Sequence, residues 1–423
     1  MSRRAIIAGA GIGGLATACA LSQSGFRVTI YERACDLEEF GAGLQLTPNA
    51  TRVLSLLGLL ERVRSVSDTP DAICAMRGSD DTVLMRIKLD DAVQRWGAPY
   101  LAVHRADLQR VLAEVVQLSP DVRLELGSTV AGIATDGERV SLGLKRGAAS
   151  MQDAADLLIG ADGLRSRVRE RLGLGESDSA SFTGRVAFRA TVNSKNVDSR
   201  WIRPEVCLRL GPKAHLVHYP LRGGSIVNVV AVIEAGWRGG DNDHPWDGAA
   251  DRPALDRAFA RWSTSTRSLI AAATNWRAWP LYSRAPISSF SLGCIALVGD
   301  AAHPMVPFLA QGAAQAIEDA GALRRALAHA ESIREGLSAY SRDRVARATR
   351  VQIEALRQGR IYHLGGAMAL ARDAAMRVLG PRRLSARYDW LYGAGREFIE
   401  APARVRNSTT PPTINPQNAP PTP

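Results

Sequence analysis

Residues 4–33, RAIIAGAGIGGLATACALSQSGFRVTIYER, decide the fold. The apolar run that opens this stretch predicts a short buried strand, and residues 9–14 follow it with the GxGxxG pattern. Residues 15–24 predict a helix that ends at Gly25, and residues 26–33 predict a second strand. A strand, a glycine-rich turn, a helix and a strand within about 30 residues indicate a βαβ dinucleotide-binding unit.

The glycines have separate tasks in such a turn. Gly9 permits the tight bend, Gly11 lets the backbone approach a pyrophosphate, and Gly14 allows the helix to pack closely on the strand. Glu32 ends the second strand, where a carboxylate can bind two ribose hydroxyls. A 2′-phosphate would clash with Glu32, so we expect the bound nucleotide to be FAD or NAD rather than NADP. The alternative is an ordinary glycine-rich turn beside a solvated glutamate.

Composition limits the class of protein. The chain has 423 residues, of which 46% are apolar, enough for one large domain or two to three smaller ones. Its 53 lysines and arginines against 42 acidic residues give a net charge of +11, but the arginines are scattered and form no basic stripe. We therefore expect no nucleic-acid partner, and only a general positive field that attracts anionic ligands.

The cysteines and the lengths of the apolar runs indicate where in the cell the protein is expected. The five cysteines are odd in number and none is paired as CxxC, which argues against a disulfide framework or a zinc site, so we predict no metal centre. The same pattern fits a reducing cytoplasm, which we take as the expected location. No run of 18 apolar residues occurs, so we predict no membrane span.

Two more strand-end motifs follow farther along the chain. Asp162-Gly163 lies in the stretch LIGADGLRSRVR, and Gly299-Asp300 follows the apolar run CIALV. A carboxylate at the end of a strand can accept hydrogen bonds from a ribityl chain, which favours FAD over NAD. Each pair alone is a common turn, but three strand-end sites in one chain are much harder to explain by chance.

Taken together, these motifs resemble a known family. GxGxxG with Glu32-Arg33, GADG, and GDAAHP followed by QGA and AIEDA are similar to the single-component (group A) FAD-dependent aromatic hydroxylases, which have the p-hydroxybenzoate hydroxylase fold. GAGLQLTPNA, HRADL, HLVHYPLRGG and RYDWLYG resemble the branch of salicylate, 3-hydroxybenzoate and 6-hydroxynicotinate hydroxylases. The resemblance runs from residue 4 to about residue 395.

The resemblance implies an α/β fold with a Rossmann-like FAD-binding domain, an inserted, mainly antiparallel β substrate domain, and C-terminal helices. The alternating pattern between about residues 182 and 237 supports the inserted sheet. The predicted boundaries are residues 1–72, 98–180 and 276–360 for the FAD-binding domain, 73–97 and 181–275 for the β domain, 361–405 for a helical region, and 406–423 for a proline-rich, disordered tail.

The resemblance also implies an activity. FAD would be reduced by NADH or NADPH, react with O2 and form a C4a-hydroperoxide that hydroxylates a small hydroxylated aromatic acid of the hydroxybenzoate or salicylate type. The family allows a homodimer, and the single GxGxxG agrees with a nicotinamide coenzyme that has no Rossmann domain of its own. Three alternatives stay open: the same chemistry on a larger heteroaromatic or polyketide substrate in a tailoring pathway, a flavin oxidase or dehydrogenase without oxygen transfer, and a non-enzymatic nucleotide-binding regulator.

Cofactor contacts follow from the resemblance, residue by residue. Arg105 would reach the flavin side or the pyrophosphate, Asp300 would bind the ribityl chain, and Asp162 belongs to a motif tied to both FAD and the nicotinamide. An ion pair at a helix start is the alternative for Arg105. The full predicted set is Gly9, Gly11, Gly13, Gly14, Glu32, Arg33, Gln45, Arg105, Val130, Asp162, Asp300, Gly312 and Ala313.

Substrate contacts are predicted on the strand around His215. Side chains alternate along a strand, so His215 and Tyr219 share one face while His218 points the other way. The resemblance implies that His215, Tyr219 and Cys207 line the substrate cavity, where Tyr219 or His215 would accept or relay the proton of a phenolic substrate. The alternatives are a water-facing or structural pair for His215 and Tyr219, and a small buried residue for Cys207.

Two further stretches complete the predicted pocket. Gln45 stands where hydroxynicotinate hydroxylases carry a histidine, which favours a hydroxybenzoate-like substrate, and we expect Gln45 close to the flavin. In residues 299–320, prolines including Pro307 would pass along the flavin ring, and the helix opened by Gly312 would present its N–H groups to it. His303 is predicted to position this loop and not to act in catalysis.

Overall fold

The computed structural model describes residues 3–37, 43–173, 179–237, 248–249 and 251–395. The predicted disordered tail, 406–423, lies outside the described residues, as does the end of the predicted helical region, 396–405. Within the described part of the chain, no helix combines the length and the apolar character that crossing a bilayer requires.

The elements are numbered along the chain. The strands are β1 (Arg3–Ala8), β2 (Phe26–Tyr31), β3 (Gly43–Leu46), β4 (Ser67–Asp68), β5 (Ala72–Arg77), β6 (Val83–Lys88), β7 (Leu101–His104), β8 (Val122–Glu125), β9 (Thr129–Thr135), β10 (Val140–Arg146), β11 (Ala149–Ala155), β12 (Leu157–Gly160), β13 (Ser181–Asn193), β14 (Glu205–Gly211), β15 (Ala214–Leu221), β16 (Ile226–Glu234), β17 (Gly248–Ala249), β18 (Arg277–Ser283), β19 (Ser291–Leu292) and β20 (Ile295–Leu297). The helices are α1 (Ile12–Ser22), α2 (Pro48–Leu56), α3 (Leu60–Arg64), α4 (Ala92–Trp96), α5 (Arg105–Leu118), α6 (Arg167–Arg171), α7 (Arg252–Phe259), α8 (Thr264–Ala272), α9 (Gly312–His329), α10 (Ile333–Tyr362), α11 (Gly366–Ala386) and α12 (Asp389–Tyr392).

A six-stranded sheet carries the GxGxxG turn. Its order is β19-β20-β12-β1-β2-β8, and every neighbouring pair is parallel except β19 with β20. Successive side chains of β12 are buried on both faces, which is typical of a parallel sheet covered by helices. Because parallel strands end at one edge of a sheet, the residues after β1, β2, β12 and β20 meet there. Helix α1 begins at Ile12 and not at the predicted Leu15, because the last two glycines of the motif lie in its first turn.

An eight-stranded sheet follows the order β17-β18-β13-β16-β15-β14-β5-β6. The strands predicted between about residues 182 and 237 pair antiparallel, as expected, whereas β14 and β5 pair in parallel. Strand β18 also belongs to this sheet, although it follows the predicted boundary at residue 275. The domain boundaries themselves stay a prediction. Two three-stranded sheets, β11-β10-β9 and β3-β7-β4, complete the described strands.

The two faces of the eight-stranded sheet have different neighbours. One face packs on α7 and α8 through core residues that include Phe259 and Ile270. On the other face, Ala187 of β13 packs with Phe308 and with Ala355 of α10. Helix α11 then continues the chain and is interrupted at Gly380, where φ is +68°. This second face is therefore the one that meets the loop before α9 and the C-terminal helices.

A buried ion network joins α9 to α10. Glu318, Asp319 and Arg344 are each at most 1% exposed. Nε of Arg344 donates to Oδ1 of Asp319 at 2.7 Å, and both Arg344 and Arg347 bond to Glu318. Burial would raise the pKa of Glu318, but the two guanidinium groups hold it at about 2. Because a buried charge without a partner is very unfavourable, each member of the network depends on the others.

Arg344→Ala should lower the free energy of unfolding by about 3–5 kcal/mol, because it removes the guanidinium group that two buried carboxylates share. Arg342→Ala, on the exposed side of the same helix, is the matched control and should change this value by about 0.5 kcal/mol or less. Unfolding in urea measures both. Equal midpoints for the two variants would contradict a stabilising role for the network.

Candidate active site

At two positions of the GxGxxG turn, the neighbouring backbone leaves no room for a side chain. Gly9 has φ +106°, and a Cβ there would lie 2.4 Å from the carbonyl oxygen of Ala161. A Cβ on Gly14 would lie 2.0 Å from the carbonyl oxygen of Gly9. Gly11 differs, because a Cβ there would meet no atom within 4 Å. Gly9 and Gly14 are thus required for packing, whereas Gly11 faces open space into which a ligand can approach.

Glu32 is bonded to this turn. Its Oε2 accepts the N–H of Ala10 at 2.8 Å, and its Oε1 accepts the N–H of Ala34 at 3.0 Å. Gln109 of α5 binds the same segment from the other side, donating from Nε2 to the carbonyl oxygen of Ala10 at 3.1 Å. The carboxylate predicted to bind ribose therefore lies directly at the glycine turn and also fixes its shape.

Asp162 stands at the end of β12, next to Gly9. Its Oδ2 accepts the N–H groups of Arg167 and Val168 at 2.8 and 3.2 Å, which anchors the start of α6. Its Oδ1 is buried and has no hydrogen-bond partner among the residues that the structure describes. Burial raises the pKa of Asp162 in spite of those two bonds. One oxygen of Asp162 is thus structural, and the other is left for a ligand.

Asp300 follows β20, in a single 3₁₀ turn. The preceding Gly299 has φ +58°, and its N–H donates to Oδ2 of Asp319 at 2.8 Å. His303 bonds to the same oxygen through Nε2 at 2.7 Å. The side chain of Asp300 is exposed, while His303 is 1% exposed. The loop therefore directs Asp300 outward, and His303 is held inside it, as expected of a residue that positions the loop.

The start of α9 carries the predicted Gly312 and Ala313, both half-buried. No side chain caps this helix, and a Cβ on Gly312 would meet no atom within 4 Å. The preceding Gln311 is fully buried: its Nε2 donates to Thr47 at 2.8 Å, and its Oε1 accepts from Asn49 at 3.1 Å. The backbone N–H groups at this helix start are thus open toward a ligand and carry the positive end of the helix dipole.

Two arginines lie near Asp300 and Tyr219. Burial lowers the pKa of Arg105 at the start of α5, and the carboxylate of Asp300 opposes that change. Burial, with the charge of Arg105, lowers the pKa of Arg189 on β13 to about 10. Nε of Arg189 is buried with no hydrogen-bond partner in the described part of the chain. Two neighbouring, half-buried cations favour an anionic ligand between them.

Arg189 was not predicted from the sequence. Its only local signal is an arginine in the alternating stretch GRVAFRATV, where a solvated position is the ordinary expectation. The remaining predicted cofactor residues are placed as follows: Gly13 packs against Ala316 of α9, Val130 lies buried on β9, and Arg33 is exposed just after β2.

A cavity of about 610 Å³ lies between the eight-stranded sheet and the C-terminal helices. Gln45, His215 and Pro307, all predicted to contact substrate or flavin, line it together. Its sheet wall otherwise consists of Ile73, Ala75, Met85, Ile87, Val206, Leu208 and Val217. The opposite wall includes four aromatic residues, Tyr362, Tyr388, Trp390 and Tyr392, together with aliphatic residues and charged ones such as Arg350 and Glu354. A mainly apolar chamber with a few polar groups is typical of sites for small organic molecules.

His215 is the titratable group of the sheet wall. It is 2% exposed, and its Nδ1 lies 2.8 Å from Nε2 of His363. Burial, together with the nearby His363 and Arg185, lowers the pKa of His215 well below its ordinary value. His215 is therefore neutral near pH 7 and can accept a proton.

Tyr219 does not line the cavity itself but contacts Gln45, which does. It is 2% exposed and hydrogen-bonds to Gln45, whose Oε1 also accepts the hydroxyl of Tyr100 at 2.6 Å. Burial raises the pKa of Tyr219, so its hydroxyl stays protonated at neutral pH. The Gln45 amide opposes that change, as a donor to the phenolic oxygen does, so the structure connects Tyr219 to the cavity through Gln45.

The prediction that Cys207 lines the substrate cavity is wrong for this cavity. Its neighbours Val206 and Leu208 face the cavity, so strand alternation turns Cys207 to the other face of the sheet. There it pairs in register with Cys74, and both thiols lie within 4.8 Å of a carboxylate oxygen of Glu205. The Cys74 thiol and burial raise the pKa of Cys207, which keeps it unreactive. No CxxC spacing signals this group, because strand register brings the two cysteines together.

The residues at the carboxyl edge of the six-stranded sheet fit a dinucleotide such as FAD. Gly11 has open space for a pyrophosphate, and α1 and α9 both start there without a side-chain cap. Oδ1 of Asp162 is a buried polar atom that such a ligand would satisfy, and the cationic Arg105 lies near Asp300. Helix termini, an acceptor and a cation are the groups that phosphates, a ribityl chain and a flavin ring require.

Comparisons with known proteins identify the family of the chain. The chain is 35% identical over 390 residues to a 3-hydroxybenzoate 6-hydroxylase of Polaromonas naphthalenivorans, covering 92% of this chain and 95% of that protein. It is 34% identical over 359 residues to a 6-hydroxynicotinate 3-monooxygenase of Bordetella bronchiseptica, covering 82% and 89%. Its fold is similar to that of HpxO of Klebsiella pneumoniae complexed with FAD and uric acid, with a TM-score of 0.80, 24% identity, and coverage of 91% and 95%.

A family model described as an FAD binding domain matches residues 3–355. That match spans both the strand-end motifs and the eight-stranded sheet. The relatives over nearly the whole length are hydroxylases and monooxygenases. The chain therefore belongs to the FAD binding domain family, and within it to the flavin-dependent aromatic monooxygenases.

Proposed function

We propose that this protein hydroxylates a small hydroxylated aromatic acid, of the hydroxybenzoate or salicylate type, using FAD, O2 and NADH or NADPH. The observation that carries the proposal is the cavity in which His215, Gln45 and Pro307 meet. Its wall is linked through Tyr219 to the cationic Arg189. The hydroxybenzoate-acting relative covers 92% of this chain and supports the same substrate class.

FAD would lie along the carboxyl edge of the six-stranded sheet. Gly11 would approach its pyrophosphate, Glu32 its ribose, Asp300 its ribityl chain, and Arg105 its negative charges. The eight-stranded sheet would be the inserted substrate domain that covers it. When bound, FAD supplies the reducing equivalents taken from the nicotinamide and activates oxygen, while the protein orients the reactants and excludes water.

Within the cavity, the substrate ring would lie against the aliphatic sheet wall, with its carboxylate directed to cationic groups. Arg189 does not line the cavity itself but lies beyond Tyr219, and it is one candidate for that anchor because its buried Nε lacks a protein partner among the described residues. Four arginines from the C-terminal part of the chain line the cavity directly and are the others: Arg350, Arg357, Arg372 and Arg387. The phenolic O–H would point to His215, whose neutral imidazole accepts the proton. Tyr219 would hold Gln45 in place at the edge of the cavity. Loss of the phenolic proton makes the ring a better nucleophile, which is the protein's chemical contribution.

A second candidate is the same chemistry on a larger heteroaromatic substrate. The volume of about 610 Å³ favours it, since the cavity extends past His215 as far as Met368 and Leu379 of α11. The far end is lined partly by exposed side chains, so it serves equally well as an entry path for a small acid.

The compartment and the oligomeric state are proposed together with the reaction. A reducing compartment such as the cytoplasm is supported by the five cysteines, all of which are free thiols. The homodimer that the family allows stays a prediction.

Purified protein should consume NADH or NADPH with a hydroxybenzoate and release a product heavier by one oxygen atom. The panel should hold 3-hydroxybenzoate, salicylate, 6-hydroxynicotinate and larger hydroxylated heteroaromatics, with product mass and peroxide measured together. Peroxide without product would favour an oxidase, and turnover of the larger compounds alone would favour the second candidate. Colourless protein that binds no added FAD would contradict the proposal.

Gly11→Val should keep the fold and weaken FAD binding at least tenfold, about 1.4 kcal/mol or more, because its side chain fills the space left for the pyrophosphate. The backbone at Gly11 has φ −68°, which valine tolerates. Gly236→Val, also in open space, is the control and should bind FAD as the unchanged protein does. Flavin fluorescence titration gives both dissociation constants, and equal values would contradict this location for FAD.

Tyr219→Phe should retain FAD and slow product formation about tenfold, because the hydroxyl that binds Gln45 is lost. Tyr282→Phe, on β18 beside Phe182, is the control and should leave the rate within about twofold. Rapid-mixing kinetics with product quantification measures the rate. Unchanged turnover in Tyr219→Phe would remove Tyr219 from the mechanism.

A further inference from the structure

A chain of three side chains leads from the cavity wall to the protein surface. Nδ1 of His215 lies 2.8 Å from Nε2 of His363, and Nδ1 of His363 lies 3.1 Å from Oε1 of Glu234. His215 is 2% exposed and His363 is 7% exposed, whereas the side chain of Glu234 is 37% exposed. Hydrogen bonds therefore connect a buried group on the cavity wall to bulk solvent.

The carboxylate at the outer end determines which nitrogens carry hydrogen. An ionised Glu234 can only accept, so Nδ1 of His363 must donate. The Nε2 of a neutral His363 then accepts, which requires a hydrogen on Nδ1 of His215. Nε2 of His215 is left without a hydrogen, and in the described part of the chain it has no protein partner. The network thus presents a proton acceptor to the cavity.

Backbone contacts fix the three side chains relative to one another. His363 directly follows α10, and its carbonyl oxygen accepts the N–H of Lys213 at 3.1 Å. The N–H of Glu234 donates to the carbonyl oxygen of Lys213 at 2.9 Å. Lys213 is in the turn between β14 and β15, directly before the strand that carries His215. The alignment therefore depends on main-chain bonds and not on flexible surface side chains.

The surroundings separate this path from water and keep both imidazoles neutral. The rings of Phe308 and Tyr362 cover His215, with centroids 5.4 and 5.2 Å away. Arg185 of β13 lies 3.6 Å from Glu234. Burial lowers the pKa of His363, Glu234 opposes that change, and Arg185 adds to it. Neutral imidazoles can each accept one proton and pass another on.

We propose that His215, His363 and Glu234 form a proton path between substrate and solvent, a role that rests on the proposed hydroxylation of a phenol. The substrate O–H bond breaks as an Nε2–H bond forms on His215. The Nδ1 proton of His215 passes to Nε2 of His363, and the Nδ1 proton of His363 passes to Glu234, which releases it to water. One proton enters, one leaves, and no electrons are exchanged. The reverse transfers later return a proton to the product and restore both tautomers.

His215 would touch the substrate, while His363 and Glu234 act through it as positioning and relay residues. Acidification should interrupt the path, because protonated imidazoles cannot accept. Since the pKa values of both histidines are lowered, the path should work throughout the neutral range and fail only on the acid side of the ordinary histidine value.

The test measures ionisation of a bound phenol in the FAD-loaded protein, without NADH or NADPH. A nitro-substituted hydroxybenzoate is mixed rapidly with the protein, and its phenolate absorbance is followed. His363→Gln and Glu234→Gln keep hydrogen-bonding groups but break the path, so both should slow phenolate formation about tenfold or more, with the ligand's dissociation constant unchanged within about twofold. Glu205→Gln, a strand carboxylate paired with Arg86, is the matched control and should ionise the ligand at the unchanged rate.

Chemical rescue distinguishes a relay from a structural role. His363→Ala leaves a space that imidazole can enter, and added imidazole should restore fast ionisation in proportion to its unprotonated form. Rates equal to the unchanged protein in His363→Gln and Glu234→Gln would overturn the proposal. Slow ionisation in His363→Ala that imidazole does not restore would overturn it as well.

This test and that of the proposed function can fail separately. Fast ionisation that depends on His363, in a protein that releases no hydroxylated product, would leave the path standing and refute the reaction. Hydroxylated product from a protein whose variants ionise the ligand at full speed would leave the reaction standing and refute the path.

Discussion

One buried carboxylate, that of Asp319, joins the elements around the FAD cleft. Its Oδ2 accepts the N–H of Gly299 at 2.8 Å and bonds to His303 at 2.7 Å, while its Oδ1 accepts from Arg344 at 2.7 Å. The end of β20, the proline-containing loop, α9 and α10 are thus held by a single group. The outward direction of Asp300 depends on this anchor, since the glycine before it has its N–H bound and φ at +58°. A buried charge that satisfies several partners makes the arrangement rigid.

The two sheets contribute opposite physical properties to the site. The parallel sheet ends in glycine turns and helix starts, whose N–H groups suit phosphates and other anions. The eight-stranded sheet offers an apolar wall that excludes water and lowers the pKa of His215. Chemistry on a phenol needs both: a polar edge to hold a charged cofactor, and a dry chamber in which one neutral base and a few oriented bonds are effective.

The strand-end residues were predictable because local patterns specify them. A glycine turn after an apolar run, and a carboxylate at the end of the next strand, are visible in a short window of sequence, and parallel pairing brings such ends to one edge. Gly11, Glu32, Asp162 and Asp300 follow this rule. Gln45 and His215 were also predicted near the substrate, from the family resemblance and from strand alternation, and the structure brings them to one cavity.

By itself, the sequence determined the βαβ unit, the strand-end carboxylates and the family, since these depend on residues close together along the chain. Tertiary structure alone decided that Cys207 faces Cys74 and not the cavity, that Arg189 lies beside Arg105, and that His363 meets His215. The alternation of side chains along a strand assigns residues to two faces, but it does not show which face lines the cavity. That choice, and every pairing between distant elements, is made when packing brings side chains from different strands and helices together.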